Sequence, residues 1–219
     1  MFILGFNFKK MKKILYCLLN GQLKNDRIKN VINTWGKDVD LIFYSDFEDL
    51  ENNVYKVIDK QGYWDLEEKH INGIKFVSNN FKDYEWYFFG DDDTFVNTKK
   101  MNEFLNTCNE DVVYGLLINC YPKNESLFYH SGGAGVLIHK KNLDIISQNI
   151  ELKNTKFADV TLGMCLHENK INVDTDIRFK SEPPKFYKFN SDEIKNYITF
   201  HHINSFEEMM ELYQNSNQE

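Results

Sequence analysis

Proline is scarce in this 219-residue chain, at three residues, while Asn, Lys, Ile and Phe are abundant. An A/T-rich genome produces that bias without any chemical cause. Cysteine is also sparse: Cys17, Cys108, Cys120 and Cys165 have no metal-ligand spacing, and they fix no redox compartment. No repeat, low-complexity stretch or linker divides the sequence. Long apolar runs are absent too. Lys9, Lys10, Lys12 and Lys13 precede Ile14 to Leu19, superficially like a secretory leader. That run is too short to span a membrane and is broken by Asn20-Gly21, so it reads as the first strand of a core. Finally, there is no basic excess. A net charge of −7 argues against a nucleic-acid backbone as partner.

What is present is a length suited to one domain with a sizeable core, at 42% hydrophobic and 15% aromatic residues. Strand-like runs occupy Ile14 to Leu19, Val39 to Tyr44, Val54 to Val57, Glu85 to Phe89 and Val112 to Leu117. Helical patterns fill Asp26 to Trp35, Asp65 to Asn80 (with Gly73 a weak point) and Lys99 to Thr107. Asn142 to Gln148 and Val160 to His167 read as short helices, and Ser205 to Leu212 as a terminal one, capped by Ser205 with Glu208 three residues on. Alternating strands and helices predict an α/β fold with a mostly parallel sheet covered on both faces. Ligands of such sheets bind beyond the carboxyl ends of the strands.

One strand ends in an unusual way. The run Trp86-Tyr87-Phe88-Phe89-Gly90 stops at Asp91-Asp92-Asp93, followed by Thr94-Phe95-Val96. Three adjacent carboxylates repel and raise one another's pKa unless a cation neutralises them. Their hard oxygens suit magnesium, manganese or calcium rather than zinc. A solvated acidic turn is the structural alternative. Thr94 could order that turn by bonding its own backbone.

Later segments break the tie. Ser131-Gly132-Gly133-Ala134-Gly135 precedes the apolar Val136-Leu137-Ile138. Asp159-Val160-Thr161-Leu162-Gly163 opens a helical pattern, and Phe200-His201-His202 closes a short strand. Upstream, Ile32-Asn33-Thr34-Trp35 precedes Phe43-Tyr44-Ser45-Asp46. In this order the motifs resemble those of the fringe and core-1 β-1,3-galactosyltransferase family. The resemblance runs from about residue 12 to about residue 206, and includes Lys69, Gly73 and Asp83-Tyr84-Glu85-Trp86.

That resemblance implies a GT-A-type, Rossmann-like fold with a nucleotide-binding half, about 12–97, and an acceptor-side half, about 98–206. It implies an inverting, metal-dependent enzyme that moves a hexose or N-acetylhexosamine from a UDP-sugar to a glycan or glycoprotein hydroxyl, in a β-1,3 linkage. Asp93 would be the protein carboxylate on the metal, with Asp91 also in reach of it, and Asp91 or Asp92 would contact the ribose. His201 would be the second ligand, and an imidazole beside a carboxylate favours Mn2+ over Mg2+. On a strand, side chains alternate, so His202 would face the other way. Gly133 and Ala134 would line the donor-sugar pocket. Arg27, Asp46 and Lys69 would approach the nucleotide or diphosphate. Asp159 would be the base that takes the acceptor's proton, or else a helix N-cap.

Two departures stand out. Ala158 occupies a place where the family carries a second acid, and Asp174 to Asn190 is shorter than in the core-1 branch and lacks its Trp-rich stretch. Tyr63, Trp64, Phe128 and Tyr129 are aromatic candidates for an acceptor platform. Asn124-Glu125-Ser126 is a glycosylation sequon, irrelevant without secretion. Eukaryotic members of the family are anchored in the Golgi by an N-terminal helix. Without one, the expectation is a soluble, cytoplasmic enzyme of a virus-infected or microbial cell, or a truncated form from the Golgi lumen. A metal-dependent phosphohydrolase and an inactive sugar- or nucleotide-binding module of the same fold are the competing readings.

Overall fold

A computed structural model describes residues 13–21, 24–60, 65–119 and 127–217. Tyr63, Trp64, Cys120 and the Asn124 sequon lie outside them, as do Lys9, Lys10 and Lys12. The first apolar run is indeed a strand, β1 (Ile14–Leu19). Then come α1 (Asn25–Ile32), β2 (Leu41–Ser45), β3 (Val54–Lys56), α2 (Leu66–Asn80), β4 (Trp86–Asp91), β5 (Phe95–Val96) and α3 (Thr98–Leu105). The second half holds β6 (Val112–Gly115), β7 (Leu117–Asn119), β8 (Phe128–His130), β9 (Val136–His139), α4 (Lys140–Asn149), α5 (Ala158–Glu168) and β10 (Asn172–Thr175). The chain closes with β11 (Phe179–Lys180), α6 (Pro184–Tyr187), α7 (Ser191–Ile194), β12 (Thr199–Phe200) and α8 (Phe206–Asn217). Ser205 Oγ accepts from the Glu208 N–H, as the capping pattern predicts. No helix among the described residues is long and apolar enough to cross a membrane.

The main sheet runs β10-β6-β9-β4-β1-β2-β3 among the described residues. Every pairing in it is parallel except those of β9, which runs antiparallel to both β4 and β6. This is a mixed, mostly parallel sheet flanked by helices.

Period-two alternation in all-apolar strands feeds a core on each face. Tyr16, Leu18, Trp86, Phe88 and Leu137 join one cluster with residues of α1, α3 and α8. Leu15, Cys17, Tyr87, Phe89, Val136 and Ile138 join the other, under α2, α4 and α5. Cys17 and Cys165 are buried free thiols.

The helix α2 lies so close to the sheet that a Cβ on Gly73 would come 2.3 Å from the buried Tyr44 ring. Tyr44 cannot swing away without breaking its 2.7 Å hydrogen bond with His70 Nδ1. Gly73→Ala therefore gains at most about 1 kcal/mol of helix propensity and costs roughly 1–3 kcal/mol in overpacking. Urea unfolding should show a net loss of stability. A variant more stable than the wild type would disprove the tight contact.

The sheet order positions the site. β4 delivers Asp91 at its last residue, opposite Leu19 of β1. β9 starts where β4 ends, with Val136 paired to Phe89, so the Gly132–Gly135 turn lies beside the acidic triplet. In a small second sheet β12 pairs antiparallel with β5, Phe200 opposite Phe95 and Thr199 opposite Val96. Continuing that register carries His201 to the triplet.

Candidate functional site

The turn after β4 is built from its own residues. The Thr94 N–H donates to the Asp91 carbonyl at 3.1 Å, and the Asp91 N–H donates to Thr94 Oγ1 at 3.3 Å. Thr94 Oγ1 in turn donates to the Gly133 carbonyl at 2.8 Å, and Thr199 Oγ1 to the Ala134 carbonyl at 2.6 Å. Two threonines thus tie the acidic turn, the glycine turn and β12 together. The glycines serve this closeness: Gly135 has φ +89°, and a Cβ on Gly133 would stand 2.1 Å from the His201 ring. Gly133 faces an open cavity, whereas Ala134 is fully buried.

The three carboxylates have different fates. Asp92 is 5% exposed and turned inward, accepting from Arg27 Nη1 at 2.9 Å and Asn20 Nδ2 at 2.5 Å. Burial pushes its carboxyl up to about 7; the Arg27 hydrogen bond opposes this, and the Asp93 and Asp91 charges add to it. Asp93 lies 3.0 Å from Arg27 Nη1 and 3.1 Å from His201 Nε2. Burial would raise its pKa, but the His201 bond and the nearby cations outweigh burial and hold it below the usual range. Asp91 is the accessible one, its side chain 35% exposed and 3.4 Å from His201 Nε2. Burial alone would lower the His201 imidazole, yet its bonds to Asp91 and Asp93 lift it to about 10.

His202 corrects the alternation argument. The strand ends at Phe200, and His202 adopts φ +61°, in the left-handed region. Its ring stacks on His201 with centroids 3.8 Å apart, and its Nδ1 lies 4.0 Å from Asp93 Oδ2. Asp93, His201 and His202 consequently offer ligand atoms all within 4.8 Å of one another. One carboxylate and two imidazoles suit a first-row divalent ion, provided the imidazoles are neutral when they bind.

Asp159 lies beside the glycine turn, 3.5 Å from where a Cβ on Gly132 would stand. It sits one residue inside α5, whose N-cap is Phe157, so the N-cap alternative does not hold. Its carboxylate accepts from the Val160 N–H at 2.9 Å and, more loosely, from the Gly132 N–H at 3.5 Å. Burial raises its pKa, with those amides opposing and the Asp91 charge assisting. Asp91, Gly133, His201 and Asp159 all line one cavity of about 790 Å³, counting its open mouth. His70 lines it as well, its pKa pulled down by burial to about 4, so this imidazole is neutral near neutrality.

Other candidates sit apart from that cavity. Lys69 and Asp46 form a buried pair at 2.8 Å, with Lys69 also donating to the Asn20 carbonyl at 3.3 Å. Arg27 is spent on carboxylates and on Asn204, whose Oδ1 accepts from Nη2 at 2.5 Å. Phe128 is half exposed on β8, while Tyr129 packs so tightly against α5 that a Cβ on Gly163 would come 2.6 Å from it. Sequence reasoning missed Asn20, Asn204 and the wall formed by Lys156 and Phe157, of which Phe157 is 58% exposed. For the two asparagines no local signal exists. Phe157 could have been noticed as an aromatic two residues before Asp159.

With this geometry established, comparison with known proteins is informative. A family model described as Fringe-like matches residues 20–217. Among solved structures, the fold is similar to the crystal structure of a glycosyltransferase involved in the glycosylation of the major capsid of PBCV-1. That similarity has a TM-score of 0.58 at 14% identity and covers 92% of this chain and 98% of the other.

Proposed function

Since the chain belongs to the Fringe-like family of glycosyltransferases, we propose that it is an inverting, metal-dependent member. It moves a hexose or N-acetylhexosamine from a UDP-sugar to a hydroxyl of a glycan or glycoprotein, forming a β-1,3 linkage. The observation that carries this reading is the one cavity that Asp159 lines together with Asp91, Gly133 and His201. A carboxylate base and a cation-binding group sharing one cavity is the combination that displacement at an anomeric carbon needs.

In this reading Asp93, His201 and His202 hold manganese, which when bound offsets the charge of the departing diphosphate. Asp91, the accessible carboxylate of the triplet, faces the ribose or shares the metal. Asp159 accepts the proton of the acceptor hydroxyl as its oxygen attacks the anomeric carbon. The Val160 and Gly132 N–H groups aim the carboxylate, and burial raises its affinity for a proton. Gly133 forms the floor of the donor-sugar site. The Lys69–Asp46 pair and Arg27 stiffen the wall beneath the nucleotide. The positioned base counts against an inactive binding module, which has no use for it.

The test is donor hydrolysis and transfer assayed across several UDP-sugars, before and after exhaustive chelation and with metals restored one at a time. Turnover of one UDP-sugar, lost on chelation and best restored by manganese, is the expected result. Full activity after chelation removes the metal assignment. Zinc-specific rescue removes the choice of ion, and hydrolysis of simple phosphate esters in place of UDP-sugars supports a phosphohydrolase instead.

Gly133→Ala probes the metal site without substituting a ligand. The added Cβ must displace the His201 ring. Manganese affinity measured by calorimetry with UDP present should fall roughly 10–100-fold, the usual cost of disturbing a ligand's support. The melting temperature should stay near that of the wild type. Unchanged affinity would mean that His201 is not a ligand.

A further inference from the structure

Glu67 lies in the first turn of α2, where an acidic residue ordinarily complements the helix dipole in solvent. Here it is only 4% exposed, and glutamate is seldom buried to that extent without a partner. The partners it has are neutral donors from the loop before α5 and from α5 itself. Its carboxylate accepts from the Lys153 N–H at 2.8 Å, the Lys156 N–H at 3.2 Å and the Thr161 hydroxyl at 2.6 Å. The Thr161 hydroxyl lies 2.8 Å from that of Thr155, which accepts from the Phe157 N–H at 3.1 Å.

The segment gripped this way does not hold its shape by itself. Asn154 has φ +58° and Lys156 φ +67°, two left-handed non-glycine residues within three positions. Such conformations persist only where the surroundings over-determine them, and they cluster at functional sites. The segment leads directly into Phe157, Ala158 and Asp159, all on the cavity wall.

We infer that Glu67 is a positioning residue. Its buried carboxylate clamps the 153–157 loop and the first turn of α5, and so fixes where Asp159 meets the acceptor hydroxyl. Glu67 itself touches no reacting atom. The inference rests on Asp159 being the base. In Glu67→Gln one oxygen becomes an amide that faces backbone N–H donors, so the clamp releases on one side while side-chain volume is kept. A misplacement of about 1 Å at the reacting centre can cost on the order of 100-fold.

The experiment uses the whole chain with manganese, the UDP-sugar found to turn over, and an acceptor. Glu67→Gln should lower kcat about 10–100-fold, with donor KM and manganese affinity unchanged. Thr161→Val, which removes one hydroxyl, should have a smaller effect of the same kind. In an Asp159→Asn background Glu67→Gln should add almost nothing, because both changes act on one group. Hydrogen exchange should speed up at Lys153, Lys156 and the first turn of α5, and stay as in the wild type at β4 and β5. Wild-type kcat in a folded Glu67→Gln variant, parallel loss of manganese binding, or full additivity with Asp159→Asn would each overturn the inference. So would unchanged exchange in the loop, a readout that decides the clamp even if no UDP-sugar is turned over and the proposed reaction itself fails.

Discussion

Asp159→Asn should lower glycosyl transfer about 100- to 10,000-fold, the range a positioned general base contributes. The substitution keeps the shape of the side chain and the hydrogen bond that the Val160 N–H donates. It removes the capacity to take a proton. Affinities for UDP and manganese should hardly move, because the hydrogen bonds that hold Asp159 come from Val160 and Gly132 and not from the proposed ligands. The wild-type pH profile supplies a second readout. Burial raises the Asp159 carboxyl above the ordinary aspartate range, so kcat/KM should fall as pH drops through that raised value. This acid limb should vanish from the residual activity of the variant. Initial rates and UDP titrations on two proteins suffice. Near-normal transfer in Asp159→Asn would place the base elsewhere, and weakened UDP binding would move Asp159 into the donor site.

The second large effect is expected at the acidic turn. Asp93→Ala should lose manganese binding, UDP binding and turnover together, since among the described residues Asp93 is the carboxylate grouped with both histidines. Removing it also leaves Arg27 and His201 each without one of their anionic partners. The ion should compete with a proton in the wild type. With the imidazole lifted to about 10, binding near neutrality must displace that proton. Manganese affinity should consequently rise with pH below that value, a slope that calorimetry in buffers of different ionisation heat can measure. A pH-independent affinity would exclude His201 from the ligand set. Retained activity in Asp93→Ala would exclude the triplet from the chemistry.

These residues were legible in unequal measure. The strand into Asp91 could be read because an unbroken aromatic run fits a strand covered on both faces of a sheet. It runs two residues past the expected end at Phe89, to Asp91 itself, because its pairing with Leu19 of β1 continues there. His201 could be matched by residue type and order. His202 was misplaced because alternation holds only within a strand, and this strand stops one residue before the pair. The inward turn of Asp92 was invisible, since its partners Asn20 and Arg27 lie 72 and 65 residues away. The reversed direction of β9 was equally hidden. Strand order is set by long-range pairing, whereas apolar periodicity reports only which local segments are buried. The Lys69–Asp46 pair was hidden as well, because nothing adjacent in sequence joins residues 23 apart.

The His201 pairing with the acidic turn also dictates an order of assembly. All seven strands of the main sheet end by Thr175, and so does the core under α2, α4 and α5, which can therefore condense while His201 has yet to be translated. At about 5–20 residues per second, the nascent chain spends a few seconds with its three carboxylates formed up and the histidines still to come. Arg27, from α1, is already available in that interval and lies against both Asp92 and Asp93. It can act as an internal counter-ion that lets the sheet close before the proposed cation site is complete. Arg27→Met should therefore hinder maturation more than it hinders the finished enzyme.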